Sequence, residues 1–145
     1  MRLFVLSIIF PLLLTSPVWK TNFEEAKAEA VKNDKYILIN FSGSDWCIPC
    51  IKMEKGLFDT ETFCHFAAND LVLVKADFPR LKKNQLSKKQ TALNEALAEK
   101  YNPHGTFPLT LLVDKEGKVL KEWEGLPGVT AEGFVDQLKA AEHAH

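Results

Sequence analysis

Three cysteines in 145 residues are too few to build a disulfide scaffold, and an odd number cannot all pair within one molecule. That leaves room for one special pair and one spare. Excess charge of either sign is also missing: 18 basic residues face 19 acidic ones, which gives no electrostatic case for nucleic acid as a partner. A long hydrophobic run is missing too. The most apolar stretch, Leu3 to Trp19, is interrupted by Pro11, and a membrane span needs about 20 consecutive apolar residues. No internal repeat and no second domain are visible.

What is present at the N-terminus is one basic residue, Arg2, followed by about a dozen apolar ones, the layout of a secretory signal. Residues 1–18 are therefore expected to be an export signal and residues 19–145 the folded domain. No A-x-A cleavage pattern accompanies it, so a cut between Ser16 and Trp19 rests on layout alone, and an uncleaved membrane anchor is the alternative. Export would place the protein in the periplasm or outside the cell. The remainder is long enough for one ordinary core, and a monomer is expected.

Along that remainder, "TNFEEAKAEAVKND" carries Phe23, Ala26, Ala30 and Val31 at helical spacing, with Thr21 or Asn22 as a cap. "YILINFS" (Tyr36 to Ser42) and "LVLVKAD" (Leu71 to Asp77) read as buried strands. Between them Cys50, Met53 and Leu57 share a helical stripe that Gly56 ends or bends. A second helical set there is Phe63, Phe66 and Ala67. "FPRLKKNQLSKKQ", with five basic residues, reads as a solvated loop leading into a helix marked by Leu93, Ala96, Leu97 and Tyr101. "LTLLVD" and "KVLKEWEG" form a hairpin signature, and a last helix spans Thr130 to Ala141. The order α-β-α-β-α-β-β-α predicts an α/β fold, a mixed sheet with helices on both faces.

The chemistry sits in "SDWCIPCIKMEK", Ser44 to Lys55. A bare C-x-x-C fits a metal clip, a structural staple or an electron-exchanging pair. A staple is disfavoured, because closing so short a loop stabilises little.

The stretches "ILINFSGSDWCIPC" and "GTFPLTLLVDKEGKV" resemble thioredoxin-fold proteins over roughly Phe23 to Leu138. "DWCIPCIKMEKGLFD" is similar to the exported thioredoxin-like reductases, including the C-terminal domain of the transmembrane disulfide-interchange reductase. The resemblance implies a three-layer sandwich and a redox disulfide, Cys47–Cys50. Cys47, at a helix start that lowers its pKa, would be the nucleophile, and the more buried Cys50 the resolving thiol. Trp46, Ile48, Pro49, Phe107 and Pro108 would meet substrate, with Phe107-Pro108 as the cis-proline loop that pairs with an extended peptide. Partners would be protein thiols and disulfides, together with a membrane-linked electron donor. No cofactor and no metal are expected.

Two departures from the family pattern bear on direction. Many thioredoxins have a buried acid where this chain has Asn40, and the loop to Cys47 is one residue longer; Asp45, Glu54 or a water would have to assist Cys50 instead. Oxidants and isomerases of this fold usually carry a His between the cysteines, whereas Ile48-Pro49 implies a more reducing pair. A disulfide oxidase or isomerase is the alternative, and a non-catalytic peptide- or metal-binding module is less favoured. Cys64, beside Phe63 and Phe66, reads as a small buried hydrophobe, with a three-cysteine metal site including His65 as the remote option.

Overall fold

The computed structural model describes residues 16–144. The expected export signal therefore lies almost wholly outside the described residues. A five-stranded mixed sheet runs in the order β1-β3-β2-β4-β5. Its strands are β1 (Trp19–Lys20), β2 (Tyr36–Ser42), β3 (Leu71–Asp77), β4 (Leu109–Val113) and β5 (Val119–Glu124). The first three are mutually parallel, and β4 and β5 run antiparallel to their neighbours. The helices are α1 (Phe23–Asn33), α2 (Ile48–Met53), α3 (Glu61–Asp70), α4 (Lys88–Tyr101) and α5 (Ala131–His143).

Alternation along each buried strand makes the three layers. Leu38, Leu73 and Leu112 point to one face and pack with Met53, Phe58, Phe63, Phe134 and Leu138 from α2, α3, α5 and the turn between α2 and α3. Ile37, Ile39, Val72, Val74, Leu111 and Val113 point to the other and meet Ala26 and Ala30 of α1, with Leu97 and Tyr101 of α4 packed alongside. The alanines of α1 let its axis approach the sheet closely, whereas the first face is filled by phenylalanines. The predicted α/β sandwich with helices on both faces is what the chain forms.

The differences are local. β1 was not expected, because two residues at the end of an apolar run leave no periodicity to read. It pairs Trp19 with Leu73 and Lys20 with Val74, and the Trp19 ring packs 5.0 Å from that of Phe58. Val31 is 60 % exposed rather than inward, while Asn22 is the cap, accepting from the N–H groups of Glu24 and Glu25. In α4 the buried residue is the polar Asn94, whose Nδ2 donates to the Asp77 carbonyl at 2.8 Å, and Ala96 is exposed. Gly56 does not stop the helix: α2 passes into a π turn, Glu54–Phe58, that delivers both Leu57 and Phe58 to the core.

Candidate active site

β2 ends at Ser42 and its continuation turns sharply through Gly43–Trp46 into α2. Cys47 is the N-cap of α2, and its Sγ accepts from the Cys50 N–H at 3.3 Å. Proline suits the position that follows, since a first-turn N–H has no partner within the helix. Pro49 lies there between the two cysteines. Cys47 and Cys50 are joined by a disulfide with their Cα atoms 5.2 Å apart. Both residues are 4 % exposed, so the expectation that Cys50 is the more buried of the two is not met in this oxidised form. Cys50, Met53 and Leu57 do share the buried stripe read from their spacing.

Around the pair stand the other residues singled out from sequence. Ile48 is 60 % exposed beside it. Trp46 is pinned by its Nε1, which donates to the Phe78 carbonyl at 2.7 Å, and by an edge contact with Phe107, ring centres 5.5 Å apart. Phe107 is in turn 5.4 Å from Phe78. The Phe107-Pro108 peptide is cis, as the resemblance implied, and Pro108 is buried against the start of β4. Trp46 and Phe107 thus meet directly, with Phe78 completing an aromatic wall.

Asn40 is buried under the site and wholly neutral: its Nδ2 donates to Thr110 Oγ1 at 3.1 Å, and that hydroxyl donates to Met53 Sδ at 3.7 Å. Of the substitutes for the missing acid, Asp45 is engaged elsewhere. It accepts from the N–H groups of Arg80 and Leu81 and from Asn84 Nδ2, at 2.9 to 3.0 Å. The Arg80 bond above all holds its carboxyl below the ordinary range. Glu54 is better placed. It pairs with Lys75 Nζ at 2.5 Å, and both line the same cavity of about 200 Å³ as Cys50, together with Ser42, Ser44 and Asp59.

The loop before Cys47, long by one residue, is clamped to the end of β3. Ser44 donates from its N–H and its hydroxyl to the Asp77 carboxylate at 2.9 and 2.5 Å. Sequence reasoning missed this clamp and the Asp45 bonds, for they join residues more than thirty positions apart.

Cys64 corrects an expectation. It is half-buried rather than core, its Sγ donates to the Phe58 carbonyl at 3.4 Å, and burial followed by the nearby Asp59 charge pushes its thiol pKa up. It lines a groove with Val18, Lys20 and Leu71, while His65 is exposed. No cluster of three or more metal-ligating side chains forms among the described residues. No helix among them is long and apolar enough to cross a membrane.

This geometry can be set beside known proteins. Residues 18–115 match the thioredoxin-like family. The chain belongs to that family. Over 132 residues it is 36 % identical to the disulfide bond reductase DsbH of Chlamydia pneumoniae, covering 88 % of this chain and 77 % of the relative. A solved DsbH oxidoreductase superposes with a TM-score of 0.81 at 32 % identity, covering 94 % of this chain and 91 % of that one. The DsbD C-terminal domain of Neisseria meningitidis shares the fold, with a TM-score of 0.57 at 20 % identity over 82 % of this chain and 92 % of that one. As a thioredoxin-like protein with a C-x-x-C pair, the chain is a member of a thiol–disulfide oxidoreductase family.

Proposed function

We propose that this protein is an exported reductase of protein disulfides, with Cys47 as nucleophile and Cys50 as resolving thiol. The observation that carries the reading is the position of Cys47 Sγ at the N-cap of α2, where a backbone N–H donates to it. In the reduced protein a thiolate in that place gains the same bond and the favourable end of the helix dipole. Ile48-Pro49 supplies no histidine to stabilise the reduced form further, which keeps the pair a good electron donor. The name of the 36 % identical relative, a disulfide bond reductase, agrees in direction.

The reaction follows from the sulfurs. The Cys47 thiolate attacks one sulfur of a substrate disulfide, the other leaves as thiolate, and a mixed disulfide forms on Cys47. Cys50, once deprotonated, attacks Cys47 Sγ; the second substrate sulfur leaves, and the Cys47–Cys50 disulfide is closed. Two electrons have passed to the substrate, whose two sulfurs take up two protons. Glu54, across the cavity from Cys50 and held by Lys75, is the acceptor we assign for the Cys50 proton, in the role Asn40 cannot fill. Trp46, Ile48, Pro49, Phe107 and Pro108 form the surface that receives the substrate chain. The site is restored by a dithiol donor in the same compartment, and a membrane-linked donor fits export behind residues 1–18, because cytosolic reductants do not reach there.

The test is the equilibrium reduction potential of residues 19–145, titrated against dithiothreitol. A value at or below about −250 mV, near the thioredoxin end of the range, supports a reductase. A value near the strongly oxidising end assigns the protein to disulfide formation or isomerisation instead.

A further inference from the structure

The segment that follows β3 contains Arg80, Lys82, Lys83, Lys88 and Lys89, and no acidic residue from Phe78 through Asn94. Sequence alone reads it as a solvated loop, and all five side chains are indeed exposed. Its attachment is what the sequence does not show. At one end, the Asp45 carboxylate, two residues before Cys47, takes the N–H groups of Arg80 and Leu81 and the amide of Asn84. The Arg80 guanidinium carbon sits 3.7 Å from the centre of the Trp46 ring, at cation–π distance. At the other end, buried Asn94 ties α4 to the Asp77 carbonyl. The basic segment is therefore a strap held in fixed register with the cysteine pair.

Its charge is not answered locally. None of the five side chains forms an ion pair among the described residues, and the carboxylates beside the first end of the strap, Asp45 and Asp77, are occupied by hydrogen bonds to the loops they clamp. Nor does the composition demand it, for the chain as a whole has a net charge of −1. Leu81, between Arg80 and Lys82, is 48 % exposed, and Ile48, next to Cys47, is 60 % exposed, so apolar surface is open both on the strap and beside the cysteine pair.

We propose that this strap selects the substrate: residues 80–89 bind an acidic segment of the protein whose disulfide is reduced, while Ile48 and Leu81 take its apolar flank. The inference rests on the reductase reading and adds the chemical class of the substrate. An acidic protein chain is favoured over an anionic lipid surface by the strap's position. A bilayer pressed against Arg80 and Lys82 would cover the approach to Cys47, whereas a peptide bound there brings its own disulfide into line. Opposite charges at such a rim act mostly on encounter rate and fade with salt.

The experiment uses two peptides with one identical disulfide, flanked by glutamates in one and by glutamines in the other, reduced by the dithiol form of residues 19–145. The glutamate peptide is expected to be reduced about 10-fold faster in kcat/KM at low salt, the lower end of electrostatic steering. That ratio should collapse toward one in 0.3 M salt, at a Debye length of roughly 6 Å, and invert in Lys82→Glu/Lys83→Glu. The glutamine peptide should be reduced equally by both proteins. Equal rates on the two peptides with wild type overturn the strap and leave the reductase reading standing. No reduction of either peptide overturns the reductase reading itself. Lysine-dependent binding to phosphatidylglycerol vesicles with no difference between the peptides assigns the strap to a membrane and also overturns the proposal.

Discussion

Trp46 fills the space in which a side chain on Gly43 would begin: a Cβ added at Gly43 would collide with Trp46 Cε2. The indole cannot retreat cheaply, since the Phe78 carbonyl, Phe107 and Arg80 fix it on three sides. Gly43→Ala should therefore expel Trp46 from its place, costing about 1–3 kcal/mol of stability, as overpacking does. Chemical denaturation measures that loss. Tryptophan fluorescence and peptide-disulfide reduction report the displaced ring, and a variant with wild-type values of all three would show that the wall is not rigid.

Cys47 and Cys50 are equally exposed as residues in the oxidised protein, at 4 %, so burial does not rank them, and roles must come from trapping. Cys50→Ser should accumulate mixed disulfides with substrate proteins on Cys47, visible on non-reducing gels. Cys47→Ser should accumulate almost none. Trapping by both variants to a similar extent would reverse or erase the assignment of Cys47 as nucleophile.

Glu54 lines a cavity with Cys50, and Cys47 is not part of that lining, which separates two steps. Glu54→Gln should slow the second exchange, closure by Cys50, by up to about 100-fold, a general-base contribution. Alkylation of Cys47 by iodoacetamide should keep its rate. Stopped-flow mixing with a mixed-disulfide form measures closure directly. An unchanged closure rate would leave the Glu54–Lys75 pair a structural one.

The fold was legible because its signals are strong and local. Two strands of β-branched and aliphatic residues, Tyr36 to Ser42 and Leu71 to Asp77, have the bounds their composition indicated. The hairpin around Lys115 to Gly117 follows from a glycine at φ +92° and Asp114 accepting from the Glu116 and Lys118 N–H groups. The Phe107-Pro108 peptide is cis, as the resemblance implied, and Phe107 meets Trp46. What escaped was polar and distant in the chain. Asp45 is one of the sequence's candidates to replace the acid missing at Asn40, yet it serves as the anchor of a loop thirty-five residues away. Asn94 sits on a helix face where a leucine stripe was the natural reading, and it is buried because it satisfies the free carbonyl at the end of β3. Cys64 missed the core by one helical position, since the phenylalanines on either side of it take the inward places.

At the opposite end of the molecule, Glu142 on α5 has a buried Oε1 with no hydrogen-bond partner among the described residues. Burial first, and the Asp70 charge second, raise its carboxyl pKa from 4.5 to about 7. Because the folded chain holds this proton more tightly than the unfolded one, the stabilisation is fully present below pH 4.5 and is lost as pH rises toward 7. Glutamine mimics the protonated side chain, so Glu142→Gln should melt at the wild-type temperature near pH 4 and above it at pH 8. The half-exposed setting limits the gain to a fraction of what full burial would give. Thermal melts of the two proteins at both pH values make the comparison; a difference that does not grow with pH would mean that Glu142 is solvated and its charge uncontested.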